Sequence, residues 1–189
     1  MLPIIAVARK TNPFLALCEL ARTLDVHCIP YVVAGSLALS LHGYHRFSND
    51  IDLIVTSESL LRIRQCLDVN RYLTVDPSGN RLLDTTYDVN IDLLVSGDYP
   101  GGRKPKVISF PVPAECHTVM EGFKCLPLES LVELKLASGQ SNPRRMKDLS
   151  DVQELIVIHS IPREFVALLH PWVQAKFLEI YPDTFDPED

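Results

Sequence analysis

Hydrophobic and polar residues follow two different periods along the chain, and each change of period predicts a boundary between a helix and a strand. Between Asn12 and Val26, apolar residues recur every three or four positions. This period predicts an amphipathic helix, with Asn12 as its cap and Pro13 at its first helical position. The next predicted elements are strands at 28–35 and 50–55 and helices at 57–68 and from Ser36 to Gly43.

Further along, a short strand is expected at 71–75, and the segment 81–97 predicts either one long strand or a hairpin bent near Thr86. In this segment Val89, Ile91 and Leu93 alternate with polar residues, so that one face is apolar and the other acidic. Shorter peripheral strands are expected at 107–113, where prolines exclude a central position, and at 117–126. Four helices are then predicted, at 128–139, 146–159, 162–170 and 171–181.

This layout predicts an α/β (α+β) fold with a mixed-sheet core over 1–126. A C-terminal helical part of the same domain is expected over 127–181, followed by an acidic tail over 182–189. The chain has 189 residues, of which 47% are hydrophobic and 22% are charged. These values are typical of one soluble globular domain with a sizeable core.

Charge excludes binding to nucleic acid through bulk electrostatics. The net charge is −6, but four of the 24 acidic residues lie among the last seven positions, which leaves 20 acidic against 18 basic residues in the body. Any contact with a polyanion must therefore be local. Of two basic clusters, the one at 103–106 is expected to be solvated loop charge, and the one at 144–147 is equally consistent with a binding role.

The cysteines exclude two further classes of protein. There are five, an odd number, they are scattered, and they include no Cys-x-x-Cys. This pattern argues against a disulfide framework or a structural zinc site and favours reduced, mostly buried thiols. The apolar N-terminus is too short for a signal or membrane segment, so a cytoplasmic protein with no membrane partner is expected.

Asp50 and Asp52 are the first candidates for chemistry. They are two residues apart on a predicted strand, so both side chains project from one face. Their like charges repel each other, and a divalent cation such as Mg²⁺ or Mn²⁺, which prefers oxygen ligands, would offset the repulsion. Asp92 would complete a set of three carboxylates if its strand pairs beside the first. On Asp50 and Asp52 alone, a solvated strand face is the better interpretation.

Gly35 and Ser36 change this balance, because a predicted strand ends and a helix begins there. Glycine lets a phosphate approach the backbone, and the serine hydroxyl and the first helical amides are hydrogen-bond donors. A plain helix cap remains an alternative for Ser36. A phosphate site beside the carboxylates implies a nucleotide substrate, and Arg46 is a further candidate for contacting its phosphates.

The Gly-Ser pair, the Asp-x-Asp pair and the third aspartate, in this order, resemble the signature of the nucleotidyltransferase superfamily related to DNA polymerase β. The stretch LALSLHGYHR and the helix KDLSDVQEL resemble the small bacterial nucleotidyltransferases of the MNT and AbiEii type, so the resemblance covers roughly Tyr31 to Ile156. It implies catalytic, metal-binding roles for Asp50, Asp52 and Asp92, the last helping to activate the attacking hydroxyl. It also implies nucleotide-binding roles for Gly35, Ser36, Lys135 and Asp148. A helix cap or a salt bridge is an equally good interpretation of Asp148.

The resemblance implies an enzyme that uses Mg²⁺ or Mn²⁺ to move a nucleoside monophosphate from a nucleoside triphosphate such as ATP to an acceptor hydroxyl. The acceptor would be an RNA end such as that of tRNA, a partner protein or a small molecule, and a toxin–antitoxin system with an antitoxin partner is one setting. The alternative is a non-catalytic module of such a system that binds a nucleotide or a partner. His42 and His45 are expected to be structural or surface residues, because the carboxylates already supply hard ligands.

Overall fold

A mixed sheet of seven strands forms the centre of the computed structural model, which describes residues 12–100 and 107–182. The strands lie in the order β3-β4-β5-β2-β1-β7-β6. Their bounds are β1 Tyr31–Ala34, β2 Asp50–Val55, β3 Tyr72–Thr74, β4 Arg81–Asp84, β5 Val89–Val95, β6 Thr118–Met120 and β7 Phe123–Cys125. The predictions for the N-terminal segment, the basic cluster at 103–106 and the tail from 183 onward lie outside the described residues.

Six α-helices accompany the sheet in the described residues. They are α1 Asn12–Val26, α2 Gly35–Leu41, α3 Ser57–Cys66, α4 Leu128–Ser141, α5 Met146–Ile158 and α6 Pro171–Ile180. Helix α1 packs against β2 and β5, and α2 packs against β1 and β2. Helix α4 contacts α2, α5 and α6 and so joins the C-terminal helices to the core. The mixed α/β architecture predicted from the sequence is confirmed.

The register of the central strands places four residues in one row across the sheet. Strand β2 pairs antiparallel with β1 and parallel with β5, and β5 pairs antiparallel with β4. Ala34, Asp52, Asp92 and Arg81 are successive cross-strand partners. Because directly opposed residues project from the same face of a sheet, Asp52, Asp92 and Arg81 share that face. The apolar residues between the aspartates, including Ile51 and Ile91, are fully buried.

The segment 81–97 is a hairpin, as one of the two alternatives had it. Residues 85–88 form the turn, and Asp88 adopts a positive φ of 55° there. Next to the turn, the fully buried carboxylate of Asp84 accepts hydrogen bonds from Arg71 at 3.0 and 2.7 Å. Arg71 also pairs with Glu19 of α1 at 2.5 Å, so this cluster fastens the hairpin to the first helix.

Two predicted elements and one predicted helix end are wrong. Residues 107–113 form no strand, because Pro111 and Pro113 lack the N–H groups that a ladder requires, and only Phe110 pairs there, with Gly97 and Asp98. The segment expected to be a helix at 162–170 is a 3₁₀ turn at Arg163–Leu168, confined between two prolines.

The third correction concerns Gly139, which does not end its helix. Helix α4 continues to Ser141, and Gly139 is buried inside it. A Cβ at Gly139 would lie 2.6 Å from Leu149 of α5. The glycine therefore allows α4 and α5 to approach closely and does not act as a C-terminal cap.

The cysteines are less buried than the sequence predicts. All five are unpaired, but Cys125 alone is buried, whereas Cys28 is exposed and Cys18, Cys66 and Cys116 are half-buried. Within the described parts of the chain, no helix has both the length and the apolar character needed to cross a bilayer.

Candidate active site

A cleft of 780 Å³ lies over the row of cross-strand partners and brings together both parts of the chain. Strands β2 and β5 contribute the three aspartates, and the turn into α2 contributes Gly35 and Ser36. Helices α4 and α5 contribute Lys135, Lys147 and Asp148, and the 3₁₀ turn Pro143–Arg145 between them contributes Arg145. Every residue that the sequence predicts for the site, Arg46 included, lines this cleft.

Asp52 and Asp92 are the centre of the cleft. They are cross-strand partners on adjacent parallel strands, which is the pairing that the three-carboxylate prediction required. Burial and the negative charge of Asp92 raise the pKa of Asp52 to about 6, although Lys135 opposes the shift. Burial also raises the pKa of Asp92, while Arg81 acts to lower it. Burial is the larger cause of both shifts, and the neighbouring aspartates add to it.

Gly35 lies against the Asp52 carboxylate. Its φ is +58°, a conformation that favours glycine, and an added Cβ would lie 1.8 Å from Oδ2 and 2.6 Å from Cγ of Asp52. No side chain fits between the turn and the carboxylate. The backbone at the start of α2 is therefore open to a group bound at Asp52.

Ser36 does not cap α2, so the structure rejects that alternative. The N-cap position is Ala34, and it makes no side-chain cap bond. Ser36 is 4% exposed, and its hydroxyl has no hydrogen-bond partner among the described residues. A buried hydroxyl without a partner is costly, and a ligand oxygen in the cleft would supply one.

Lys135 is held by two carboxylates on the far wall of the cleft. Its Nζ donates to Asp148 Oδ1 at 3.0 Å and to Asp151 Oδ2 at 2.7 Å, and the lysine side chain is only 7% exposed. Burial alone would raise the pKa of Asp148, but Lys135, Ser138 and Arg145 outweigh it and lower the pKa. An ammonium group has three donors, so one N–H of Lys135 is left for a ligand.

Arg46 shares the Asp151 carboxylate with Lys135. Its Nη2 donates to Asp151 Oδ2 at 3.1 Å, and its Nε lies 2.9 Å from Oδ1. Asp151 is 1% exposed and connects the loop before β2 to helices α4 and α5. The sequence noted Asp151 only as a residue of the motif, and its central position depends on contacts 16 and 105 residues apart.

Arg81 is a site residue that the sequence analysis missed. Its Nε lies 3.3 Å from Asp92 Oδ1, and its Nη2 lies 3.6 Å from Asp50 Oδ1. The signal was present in the hairpin alternative, since a hairpin centred between Thr86 and Tyr87 pairs position 81 with position 92. The sequence does not decide between a long strand and a hairpin, and it therefore does not specify that Arg81 pairs with Asp92.

Comparison with known proteins supports the fold. The sequence matches no family model and no curated protein. Among solved structures, ANT(2")-Ia in complex with adenylyl-2"-tobramycin is 15% identical, with a TM-score of 0.57 over 89% of this chain and 98% of that chain. JHP933 from Helicobacter pylori is 16% identical, with a TM-score of 0.52 over 94% and 84%. TM1012 of Thermotoga maritima, a proposed nucleotidyltransferase, is 18% identical, with a TM-score of 0.51 over 71% and 88%.

The chain has the nucleotidyltransferase fold. Within this fold, the donor set of the cleft is suited to a hard divalent cation. Three carboxylates lie on adjacent strands and line one cleft, and carboxylate oxygens are ligands that Mg²⁺ and Mn²⁺ accept. As they stand, however, no three acidic, His or Cys side chains of the described residues are arranged to hold one ion.

The histidines play no part in the cleft of this nucleotidyltransferase fold. His42 is 6% exposed, its Nε2 lies 2.8 Å from the carbonyl oxygen of Leu126, and its ring meets that of His159 edge to face. Burial lowers the pKa of His42. His42 is therefore a packing residue, as predicted, and neither it nor His45 lines the cleft.

Proposed function

We propose that this protein is a metal-dependent nucleotidyltransferase of the small MNT and AbiEii type, which transfers a nucleoside monophosphate from a nucleoside triphosphate to an acceptor hydroxyl. The observation that carries the proposal is the cross-strand pair Asp52 and Asp92, with Gly35 and Ser36 at the neighbouring position of the same row. Acidic side chains and the unpartnered hydroxyl of Ser36 lie side by side in one cleft.

Asp50, Asp52 and Asp92 would hold Mg²⁺ or Mn²⁺. When bound, the metal supplies the positive charge that stabilises the triphosphate and the attacking oxygen. The raised pKa values of Asp52 and Asp92 are consistent with this role, because a bound cation favours the ionised carboxylates that burial disfavours.

The residues of the chain divide the substrate between them. The hydroxyl of Ser36 donates to a phosphate oxygen, and Gly35 allows the Asp52 carboxylate to lie directly against the same turn. Lys135 offers its remaining N–H to the phosphates, and Asp148 acts through Lys135 by orienting its ammonium group. Arg46 faces the same part of the cleft from its pair with Asp151.

The row sets the direction of the transfer. In an in-line displacement, the acceptor enters opposite the leaving pyrophosphate. With the phosphates at Gly35 and Ser36, the acceptor hydroxyl lies on the Asp92 side. Asp92 accepts the hydroxyl proton, the acceptor oxygen bonds to the α-phosphorus, and the bond to the β-phosphate oxygen breaks to release pyrophosphate. The raised pKa of Asp92 favours its use as a base.

Exposed cations favour an anionic acceptor such as an RNA end, including that of tRNA. Arg145 and Lys147, from the basic cluster at 144–147, line the cleft and are exposed. These two exposed cations provide a local contact for a phosphodiester backbone. A small molecule is the second candidate acceptor, since ANT(2")-Ia was solved with adenylyl-2"-tobramycin. A partner protein such as an antitoxin is the third.

The test is transfer of label from each of the four nucleoside triphosphates, in Mg²⁺, to total RNA, total protein and a small-molecule fraction. We expect the wild-type protein to label the RNA fraction, Asp52→Ala to label nothing, and the exposed-acid control Glu58→Ala to label normally. Full activity of Asp52→Ala would contradict the mechanism. Metal-dependent binding of a nucleotide without transfer to any fraction would instead support the non-catalytic binding module.

A further inference from the structure

We propose that Arg81 is a displaceable counter-ion of the metal site. Its guanidinium contacts Asp50 and Asp92 and leaves both carboxylates when a divalent cation binds. The inference rests on the proposed function, because it assumes that these aspartates are the metal ligands. It adds a positioning residue that the sequence motifs do not include.

The guanidinium of Arg81 contacts two of the three aspartates. Its Nε lies 3.3 Å from Asp92 Oδ1, and its Nη2 lies 3.6 Å from Asp50 Oδ1. The cross-strand pairing of Arg81 with Asp92 fixes the backbone beside the site, so the guanidinium spans two of the three aspartates. Asp50 Oδ1 also accepts from Asn90 Nδ2 at 3.3 Å. The oxygens needed for a metal are therefore already directed at a positive charge.

The two ion pairs of Arg81 are more exposed than the ion pair between Arg71 and Asp84. The side chains of Arg81, Asp50 and Asp92 are 44%, 43% and 31% exposed. In contrast, Arg71 binds Asp84, which is fully buried, with bonds of 3.0 and 2.7 Å. Longer contacts between exposed groups are weak, because water competes with both partners. Arg81 can therefore release the carboxylates into solvent at little cost.

A metal can use Asp50 and Asp92 fully only when Arg81 has released them. No group of three acidic, His or Cys side chains in the described segments is arranged to hold one ion, although Asp50, Asp52 and Asp92 lie on one face of adjacent strands. Two of these three carboxylates contact Arg81. A metal must therefore compete with the guanidinium. The apparent affinity for the metal is the intrinsic affinity multiplied by the fraction of molecules in which the carboxylates are free.

The first test measures Mn²⁺ affinity from the free-ion signal in electron paramagnetic resonance, in wild-type protein, Arg81→Gln and Arg81→Lys. We expect Arg81→Gln to bind Mn²⁺ about three- to tenfold more tightly, since two exposed ion pairs are removed. Arg81→Lys, which keeps the charge, should stay within about twofold of wild type. Unchanged or weaker binding by Arg81→Gln would overturn the inference.

Arg145→Gln is the matched electrostatic control. Arg145 lines the same cleft and acts on the charges of Asp52 and Asp92 from a distance, but its ion pair is with Asp148. If Arg81 acts by contact, Arg145→Gln gains clearly less affinity than Arg81→Gln. Equal gains would mean that any loss of positive charge strengthens binding, and the inference would be wrong.

The second test needs no change of affinity. The Nε–H resonance of Arg81, assigned by its loss in Arg81→Gln, should shift when Mg²⁺ is added to the wild-type protein, whereas that of Arg64, which bonds to Ser78 and Asn80, should not. An unmoved Arg81 signal at saturating Mg²⁺ would refute displacement. A wild-type protein that binds neither Mn²⁺ nor Mg²⁺ would contradict the proposed function itself, which separates the two failures.

Discussion

Gly35 approaches the carboxylate of Asp52 so closely that a Cβ at position 35 would lie 1.8 Å from Oδ2. The same Cβ would lie 3.0 Å from Asp52 Cβ, so a rotation of the carboxylate would not remove the whole clash. Asp52 itself belongs to the continuous ladder between β2 and β5. A side chain at position 35 must therefore move either the turn or the aspartate.

Gly35→Ala should impair metal binding as well as stability. A non-glycine residue at this positive φ costs about 1–2 kcal/mol of unfolding free energy, and displacement of Asp52 should weaken Mn²⁺ binding about 10- to 100-fold. Gly122→Ala is a matched control, since Gly122 has a φ of +86° but no atom within 4 Å of its added Cβ. Denaturant unfolding should reveal similar strain in both variants, and only Gly35→Ala should lose Mn²⁺ affinity. Equal affinities in the two variants would contradict the clash.

Asp52 should make the metal-free protein less stable as the pH rises. Its pKa is about 6 in the folded protein, above the value of about 3.9 for a free aspartate, so the folded state binds the proton more tightly. The resulting stabilisation is complete below about pH 4 and is lost as the pH rises through about 6. At pH 7, Asp52→Asn should therefore be more stable than wild type by about 1–3 kcal/mol in the absence of metal.

Chemical denaturation between pH 4 and pH 7 measures this effect, with Glu58→Gln as the control because Glu58 is exposed. Wild type and the control should lose stability over this range, and Asp52→Asn should lose less. Saturating Mg²⁺ at pH 7 should stabilise wild type and leave Asp52→Asn nearly unchanged. A parallel pH dependence in all three proteins would assign the effect to other groups.

Asp151→Asn should destabilise the protein and weaken nucleotide binding. The Asp151 carboxylate, 1% exposed, accepts from both Lys135 and Arg46, and neutralising it leaves two cations short of a partner. Loss of one member of a buried ion pair costs about 3–5 kcal/mol. The control is Glu179→Gln, which breaks the exposed pair with Lys176 and should cost under about 1 kcal/mol. A stable Asp151→Asn protein with wild-type affinity for ATP would refute the positioning role.

The sequence was informative where a local pattern decides the structure. Alternation in β2 placed Asp50 and Asp52 on one face, and the Gly-Ser step correctly located the turn into α2, because both properties depend on neighbouring residues. Whether Asp92 joins them depends on which strands pair, and the sequence could state this only as a condition. The order of the motifs, which resembles that of the nucleotidyltransferase superfamily, favoured this pairing.

Properties that depend on distant contacts could not be predicted. Asp151 binds Arg46 across 105 residues, and no local pattern specifies such a pair. Gly139 was predicted to end its helix, because the sequence alone does not distinguish a glycine that caps a helix from one that allows close packing. Its contact with Leu149 shows that it allows close packing. The error at 107–113 has a local cause instead, because Pro111 and Pro113 are visible in the sequence and lack the N–H groups that a strand ladder requires.

The two walls of the cleft come from separate stretches of the chain. The three aspartates precede residue 93, whereas Lys135, Arg145 and Lys147 follow residue 127. Under the proposed function, the strands carry the metal ligands, and the helical part carries Lys135 for the phosphates and Arg145 and Lys147 for the acceptor. Under the proposed function, replacement of Arg145 and Lys147 alone would alter which acceptors are modified, whereas exchange of the whole segment 128–158 would also remove Lys135 and its contact with the phosphates. Acceptor choice in this architecture can thus diverge without any change in the reaction.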